Sequence, residues 1–265
     1  MSEFSTKSLG LDGQVAIVTG GSRGIGRVTA ETLLAAGFEV AICGRSEPDT
    51  LPSAGGRTAT FTSCDVRDPE QVNAMVDAVA ERYGRIDLLV NNAGGSPHAN
   101  AADASPRFSE KIVALNLLGP LYFAQAANRW MQKQDQGGSI VNIASVAGAR
   151  PSPGTAAYGA AKAGLLSLSK SLAQEWGPKV RVNAIIVGLM DTENAAATYG
   201  SVESQQAIAN SLPLKRMGHG SDVANAVLFL ASPLAAYVSG AQLNVDGGGE
   251  RPLFLDLVER FTPAA

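Results

Sequence analysis

The sequence has only two cysteines and two histidines among 265 residues, and this scarcity excludes several classes of protein. Two cysteines are too few for a disulfide framework. Cys43 and Cys64 each lie in an apolar run, where a buried reduced thiol is expected. His98 and His219 are isolated from any cysteine or carboxylate cluster at ligand spacing, so we expect no metal site. We expect His98 to be a solvated loop residue, with a substrate contact as the alternative.

A strong charge and long apolar runs are missing as well. The formal net charge is -3 and no basic run is present, which favours neither nucleic acid nor an anionic membrane as the main partner. The sequence contains no uninterrupted stretch of eighteen apolar residues, so no membrane-spanning helix is expected. Residues 1–12 are polar, lack the apolar run of a signal peptide and are expected to form a flexible leader. We therefore expect a cytoplasmic protein with a single domain over residues 13–265.

Short apolar runs alternate with longer helical patterns along the whole chain. The predicted strands are 15–19, 40–43, 58–62, 88–91, 139–143, 181–186 and 242–245; the predicted helices are 24–36, 69–83, 156–176 and 222–231, with further helical regions at 107–132 and 193–211. Continuous apolar strands that alternate with helices indicate a parallel sheet covered on both faces. The sequence therefore predicts an α/β fold with one doubly wound parallel sheet.

The segment 46–56 departs from this alternation. It holds Pro48, Pro52 and two glycines, and proline removes backbone donors and resists helix continuation. The helix expected between the second and third strands is therefore short or absent. The binding cleft expected at the edge of the sheet would then be more open next to this segment.

A glycine-rich turn joins the first strand to the first helix. It reads Thr19-Gly-Gly-Ser-Arg-Gly-Ile-Gly26. Glycines let the backbone approach a pyrophosphate, and the N-terminus of the helix supplies free N–H groups and partial positive charge. The turn therefore predicts nucleotide binding.

A tyrosine and a lysine stand four residues apart in the predicted helix 156–176. Tyr158 and Lys162 thus share one helix face, and a nearby ammonium lowers the pKa of a phenol. Such a tyrosine can give a proton to a carbonyl oxygen or take one from an alcohol. Ser145 follows the strand that ends at Ile143 and could orient the substrate oxygen beside Tyr158.

The spacing TGxxxGxG, together with Ser145, Tyr158 and Lys162, resembles the short-chain dehydrogenase/reductase family from Gln14 to Gly248. The resemblance implies a Rossmann-type fold and hydride transfer with a nicotinamide cofactor. It also implies a water-mediated proton relay at Asn116, support of the nicotinamide pocket by the motif 91–94, and an adenine contact at Asp65-Val66. The expected catalytic residues are Asn116, Ser145, Tyr158 and Lys162; the expected cofactor-binding residues are Gly20, Ser22, Arg23, Gly24, Ile25, Gly26, Arg45, Asp65, Val66, Asn92, Ala93, Gly94, Tyr158, Lys162, Gly188 and Thr192.

The residue after the second strand bears on cofactor choice. An acidic residue there would bind the adenosine ribose of NAD, but the chain has Gly44 followed by Arg45. Arg23 and Arg45 would attract a 2′-phosphate, which favours NADP(H). The alternative is that Arg45 is a solvated charge and that NAD(H) is used. Val187 stands where the family usually has proline, which leaves the exact shape of the pocket open.

Substrate recognition is expected in three variable segments, 95–106, 146–155 and the lid-like stretch 193–214, with Arg150 near the mouth. The resemblance favours ketone reduction, with a 3-oxoacyl thioester as substrate. The alternatives are an NAD-dependent dehydrogenase of a steroid or other ring alcohol and a non-catalytic dinucleotide sensor. The resemblance also implies a homotetramer or homodimer. The four leucines of 156–176 would contribute to that assembly or, as the alternative, pack in the core of the monomer. The tail 251–258 is apolar enough to pack on a neighbour or border the cleft.

Overall fold

The computed structural model describes residues 9–262, and this part of the chain forms a seven-stranded parallel sheet. In sheet order, the strands are β5 (Thr60–Ser63), β2 (Glu39–Gly44), β1 (Val15–Thr19), β6 (Leu88–Asn91), β7 (Gly138–Ile143), β8 (Val180–Val187) and β9 (Gln242–Val245). The helices are α1 (Gly24–Ala35), α2 (Pro69–Tyr83), α3 (Pro106–Val113), α4 (Gly119–Met131), α5 (Ala156–Trp176), α6 (Ala195–Tyr199), α7 (Val202–Ser211), α8 (Gly220–Ala231) and α9 (Leu253–Phe261). The predicted doubly wound α/β fold is confirmed.

The central strands are buried on both faces because helices cover the sheet from both sides. Every residue of β1 and β6 is buried. One apolar cluster packs α2, α4 and part of α5 on one face, and a second packs α1 and α8 on the other. This burial explains why the strands read as continuous apolar runs rather than alternating ones. Cys43 and Cys64 are buried free thiols within the first cluster, as predicted.

Ordered packing begins before the boundary expected for the flexible leader. Leu11 is 1% exposed and packs in the second apolar cluster. The carboxylate of Asp12 accepts a hydrogen bond from Arg57 at 2.8 Å. The predicted boundary at residue 13 is therefore too late, because a single buried leucine gives no periodic signal. Residues 1–8 of the predicted leader lie outside the described residues.

The segment between β2 and β5 forms no helix within residues 45–59, as the prolines predict. A small antiparallel hairpin replaces the helix, with strands β3 (Ser53–Ala54) and β4 (Arg57–Thr58). Arg27 of α1 donates a hydrogen bond to the carbonyl oxygen of Thr50 at 2.8 Å and so ties the segment to the first helix. The third sheet strand consequently begins at residue 60, not at the predicted residue 58.

Two expectations for the helices need correction. The predicted helical region 107–132 is interrupted by a π-helical turn, Ala114–Leu118, between α3 and α4. Three of the four leucines of α5 are buried in the monomer and the fourth, Leu168, is partly buried against the core. These leucines are part of the core and give no support to assembly. Across residues 9–262, the structure shows no helix that is both long and apolar enough to span a membrane.

Candidate active site

The predicted catalytic residues surround the carboxyl end of β7. Because all strands of the sheet run parallel, the ends of β1, β6, β7 and β8 open onto the same edge, where ligands of such sheets bind. Ser145 lies two residues beyond β7 and begins a 3₁₀ turn, in which its hydroxyl accepts a hydrogen bond from the N–H of Ala147 at 3.2 Å. The serine is thereby held at the end of the strand.

Tyr158 and Ser145 are brought together as the sequence predicts. Burial raises the pKa of the Tyr158 phenol, while a hydrogen bond with Ser145 lowers it, and the net direction is upward. In the protein without cofactor, burial therefore outweighs the effect of Ser145, and Lys162 is not among the groups that shift this pKa. The physical reason is dehydration: removing a phenolate from water costs more than the Ser145 hydrogen bond returns.

Lys162 lies beneath Tyr158 in a water-excluded position. Its side chain is 3% exposed, and its Nζ donates a hydrogen bond to the carbonyl oxygen of Ile143 at 2.7 Å. The same nitrogen is 5.7 Å from the centre of the Tyr158 ring. Burial lowers the pKa of the Lys162 ammonium to about 8. Lys162 is therefore still charged at neutral pH, although it loses its proton more readily than an exposed lysine.

Asn116 occupies the π-helical turn between α3 and α4. Its Nδ2 donates hydrogen bonds to the carbonyl oxygens of Ile112 and Gly95, and its Oδ1 accepts one from the N–H of Gly95. A Cβ at Gly94 would lie 2.7 Å from Asn116 Oδ1 and 3.2 Å from Lys162 Nζ, so the glycine separates these two side chains. Asn116 is thus next to Lys162, and π turns of this kind occur frequently at functional sites.

A chain of buried polar side chains fixes the end of β6. Asn91 donates a hydrogen bond to Asn142 Oδ1 at 2.8 Å, and Asn142 donates one to the hydroxyl of Ser169 in α5 at 2.8 Å. Asn91 Oδ1 has no hydrogen-bond partner among residues 9–262. The chain ties β6, β7 and the catalytic helix α5 together, which agrees with a supporting role for this asparagine.

The next two residues hold the glycine-rich turn. Asn92 donates from Nδ2 to the carbonyl oxygens of Thr19 and Gly20, and the N–H groups of Asn92 and Ala93 both donate to Thr19 Oγ1. A Cβ at Gly26 would lie only 2.3 Å from the carbonyl oxygen of Gly20, so no side chain fits there. The turn is consequently tight and rigidly supported from β6.

The N-terminus of α1 is arranged for an anion. Its N-cap residue, Arg23, makes no side-chain cap within the described residues, and the first turn of the helix contains no acidic residue. The N–H of Gly24 instead donates a 2.6 Å hydrogen bond to the carboxylate of Glu193, far along the chain. A carboxylate therefore already stands in for an anionic ligand at this turn. The turn thus fits the pyrophosphate of a dinucleotide.

Arginines follow the two neighbouring strands β2 and β5 and also lie in the glycine-rich turn. Arg45 is exposed after β2, and Arg23 is exposed in the turn. Arg67 binds the Asp65 carboxylate with its guanidinium, from Nε at 2.8 Å, and this contact lowers the pKa of Asp65, with a smaller contribution from Arg45. Sequence reasoning missed the role of Arg67, although the Asp-Val-Arg spacing was visible. Val66 packs in the first apolar cluster.

The last predicted cofactor residues follow β8. Gly188 packs against Asp246 of the final turn, and its N–H donates to the carbonyl oxygen of Val245 at 3.0 Å. Val187 is still part of β8, so the strand keeps its extended path without the proline. Thr192 immediately precedes the lid-like stretch 193–214, which contains α6 and α7.

A family model described as enoyl-(acyl carrier protein) reductase matches residues 20–250. The chain belongs to the short-chain dehydrogenase/reductase family. It is 36% identical to an L-rhamnose 1-dehydrogenase (NAD(P)⁺) of Azotobacter vinelandii, covering 92% of this chain and 98% of the relative. It is also 36% identical to a 3-oxoacyl-[acyl-carrier-protein] reductase of Chlamydia trachomatis, with coverages of 89% and 96%. The ligand-free aldohexose dehydrogenase of Thermoplasma acidophilum is 32% identical, with a TM-score of 0.84 and coverages of 97% and 98%.

As a short-chain dehydrogenase/reductase, the protein is an oxidoreductase that uses NAD(P)(H) and acts on CH–OH or carbonyl groups of small molecules. The lid-like stretch 193–214 places a second tyrosine near Tyr158. Tyr199 of α6 accepts a hydrogen bond at its hydroxyl from the N–H of Met190 at 3.3 Å and lies close enough to raise the pKa of Tyr158. Its role was hidden because an isolated lid tyrosine carries no motif.

In this short-chain dehydrogenase/reductase, an ion pair joins the segment after β7 to the segment after β9. Arg150 donates a 2.7 Å hydrogen bond to Glu250, and Glu250 lies close enough to Tyr199 to raise the pKa of that phenol. His98 is exposed, and its ring occupies the space where a Cβ at Gly154 would lie. The loop that carries His98 therefore packs against the loop that carries Gly154.

His219 has a structural position. It precedes α8, and its N–H donates to the Asp222 carboxylate at 2.8 Å in a capping box. Among residues 9–262, no group of three or more histidine, cysteine, aspartate and glutamate side chains could hold a metal ion.

Proposed function

We propose that the protein is an NADP(H)-dependent reductase of ketones, with a 3-oxoacyl thioester as substrate and Tyr158 as the proton donor. The observation that carries the proposal is the cluster of three side chains at the end of β7. Ser145 lies close enough to Tyr158 to lower the pKa of its phenol, and Lys162 Nζ lies 5.7 Å from the centre of the Tyr158 ring. A non-catalytic dinucleotide sensor would have no need of this arrangement.

Each side chain has a defined task in this proposal. The bound nicotinamide supplies the hydride. Ser145 donates a hydrogen bond to the substrate carbonyl oxygen and orients it beside Tyr158, which gives that oxygen its proton. The raised pKa keeps Tyr158 protonated at neutral pH, which suits a proton donor. Lys162 stabilises the phenolate that remains, and Asn116 holds a water through which the proton is replaced.

The cofactor preference rests on the charges around the adenosine end. Arg23 and Arg45 are exposed, and Gly44 stands at the end of β2, where a ribose-binding carboxylate would lie. A 2′-phosphate can accept several charge-assisted hydrogen bonds from guanidinium groups, while a ribose diol needs a free carboxylate. The positive charges of these side chains therefore support binding of NADP(H) over NAD(H).

A second candidate, a dehydrogenase of a hydroxyl-rich or other ring alcohol, is favoured by the Arg150–Glu250 pair. Because the guanidinium is neutralised by a carboxylate, this side of the cleft offers paired donors and acceptors rather than a free cation. Such a surface suits a neutral polar ring better than the phosphate of an acyl carrier. The sugar dehydrogenases among the relatives agree with this candidate.

The cytoplasmic location and the homotetramer or homodimer stay predictions. With the leucines of α5 accounted for by the core, the argument for assembly rests on the family alone. Sedimentation at micromolar protein measures the oligomer directly, and a monomer would reject that prediction.

The deciding experiment has two stages. Titration with NADPH and NADH, followed by nicotinamide fluorescence, is expected to show tighter NADPH binding. Turnover is then compared between 3-oxoacyl thioesters, with NADPH, and cyclic alcohols and aldoses, with NADP⁺ and NAD⁺. Higher kcat/KM for the thioesters supports the reductase, and higher kcat/KM for the ring alcohols supports the second candidate. Binding without turnover on either panel would support the sensor.

A further inference from the structure

Glu193 makes an unusual contact for an exposed lid residue. Its carboxylate accepts a 2.6 Å hydrogen bond from the N–H of Gly24, although the two residues are 169 positions apart in sequence. Three other helices receive a local side-chain cap: Asp68 caps α2, Ser105 caps α3 and Ser201 caps α7. The first turn of α1 instead donates a hydrogen bond to the carboxylate of Glu193, which belongs to the lid-like stretch.

The turn of α1 has reasons to attract a carboxylate. Its N-cap is Arg23, and its first turn contains no acidic residue within the described part of the chain, so the positive end of the helix dipole is uncompensated locally. Glu193 supplies the missing negative charge. Since Glu193 is exposed, the contact is screened by water and remains weak enough for a ligand to displace it.

The same N–H group lies where a dinucleotide would place its pyrophosphate. A pyrophosphate carries more negative charge than one carboxylate, and both cannot accept from the Gly24 N–H in the same position. The carboxylate of Glu193 and the pyrophosphate would also repel each other if both lay beside the Gly24 N–H. Binding of one therefore requires release of the other.

We propose that Glu193 is an internal competitor of the cofactor: its carboxylate occupies the phosphate-binding turn in the free enzyme and is displaced when the dinucleotide binds. This inference rests on the proposed function, in which the turn binds the pyrophosphate. It adds that the chain itself regulates access to that site, through a residue outside the catalytic cluster.

The contact also links the two halves of the cleft. Glu193 follows Thr192 and leads directly into α6, which carries Tyr199 beside the catalytic Tyr158. Cofactor binding frees the start of the lid on the side of α1, while Tyr199 remains on the substrate side. Displacement of Glu193 therefore loosens the lid from the turn, which favours binding of the cofactor before the substrate.

The size of the effect follows from the strength of the contact. An exposed charge at a helix N-terminus favours the arrangement in which Glu193 contacts Gly24 only by a small equilibrium factor. Loss of this contact is therefore expected to lower the Kd of the cofactor about two- to sixfold. We would measure the Kd of NADPH by nicotinamide fluorescence for the wild type, Glu193→Gln, Glu193→Asp and Glu203→Gln. Glu203 is an exposed carboxylate of the same lid, so its variant controls for the loss of one negative charge.

Glu193→Asp separates displacement from simple repulsion. It keeps the charge, but its carboxylate ends about 1.5 Å short of Gly24, one carbon–carbon bond. Displacement predicts tighter binding in both Glu193→Gln and Glu193→Asp and no change in Glu203→Gln. A lower Kd in Glu193→Gln alone would show that the charge of Glu193 acts only by electrostatic repulsion, and this would overturn the proposal. Weaker binding in Glu193→Gln, or unchanged Kd values in both variants, would overturn it as well.

Hydrogen exchange supplies a readout without cofactor. In the free enzyme, Glu193→Gln should increase amide exchange across α6 and α7 relative to Glu203→Gln, because the lid loses its attachment to α1. Equal exchange in the two proteins would also overturn the proposal. If the wild type binds neither NADPH nor NADH, the proposed function fails; if it binds one and the variants match it, the inference alone fails.

Discussion

Lys162 Nζ lies 5.7 Å from the centre of the Tyr158 ring, one helical turn away on the buried face of α5. Burial acts on the two groups in opposite directions: it raises the pKa of the phenol and lowers the pKa of the ammonium to about 8. Both shifts favour neutral forms in the free protein. The resting state therefore holds a protonated tyrosine, ready to donate, above a lysine that is still charged at neutral pH.

Replacing Tyr158 with phenylalanine removes the proton donor and leaves the ring. We expect Tyr158→Phe to bind NADPH with nearly the wild-type Kd and to lose about a hundredfold to ten-thousandfold in kcat. Fluorescence titration and steady-state kinetics measure the two quantities. Tyr237→Phe is the matched control, because it removes the hydroxyl of a fully exposed tyrosine and should keep the turnover. Substantial activity in Tyr158→Phe would reject Tyr158 as the proton donor.

The buried ammonium of Lys162 makes stability depend on pH. Its pKa is about 8 in the folded protein and 10.5 ordinarily, so between these values the unfolded chain binds more protons. Stability therefore rises with pH across this window, because the folded protein no longer has to bury a charge. Below about pH 8 both states are charged and the cost of burial is fully present.

Comparison with Lys162→Met isolates this contribution from other titrating groups. The free energy of unfolding of the wild type, relative to that variant, should rise by roughly 2–3 kcal/mol between about pH 7 and pH 10. Urea denaturation at a series of pH values measures it. Lys170→Met, which removes an exposed lysine of the same helix, should give a flat difference. A flat curve for Lys162→Met would show that the ammonium is hydrated in the folded protein.

Local patterns predicted most of the fold and the catalytic cluster. The strands were recognisable because parallel strands buried on both faces are continuous apolar runs, as in β1 and β6. Tyr158 and Lys162 were recognisable because they are four residues apart on one helix. The hairpin β3–β4 was missed because strands of two residues carry no periodicity, although the Gly55-Gly56 pair between them is a hairpin signal.

Contacts between distant segments could not be predicted in the same way. Glu193 meets Gly24, and Arg150 meets Glu250, across 169 and 100 positions of sequence. Exposed charged side chains have many partners available, and no spacing rule selects one. The raised pKa of Tyr158 was missed for a related reason, because burial depends on the whole packed structure rather than on the neighbouring lysine.

Arg45 is expected to select the phosphorylated cofactor. Arg45→Asp removes a donor to the 2′-phosphate and adds a carboxylate that repels it, so the ratio of kcat/KM for NADPH to that for NADH should fall about tenfold to a hundredfold. Arg82→Asp, at the opposite end of α2 from Asp65, makes the same charge change on an exposed residue and should leave the ratio unaltered. An unchanged ratio in Arg45→Asp would show that another residue selects the cofactor.

Leu11 should contribute to stability as a core residue, although it lies in the segment expected to be flexible. It is 1% exposed and packs in the cluster that includes α1 and β1, so Leu11→Ala removes buried apolar contacts and leaves a cavity. We expect a loss of about 2–4 kcal/mol in the free energy of unfolding, measured by urea denaturation. Leu253→Ala is the control, because Leu253 is 70% exposed and the same truncation there should cost little. Equal small losses in both variants would return residue 11 to the flexible leader and restore the boundary at residue 13.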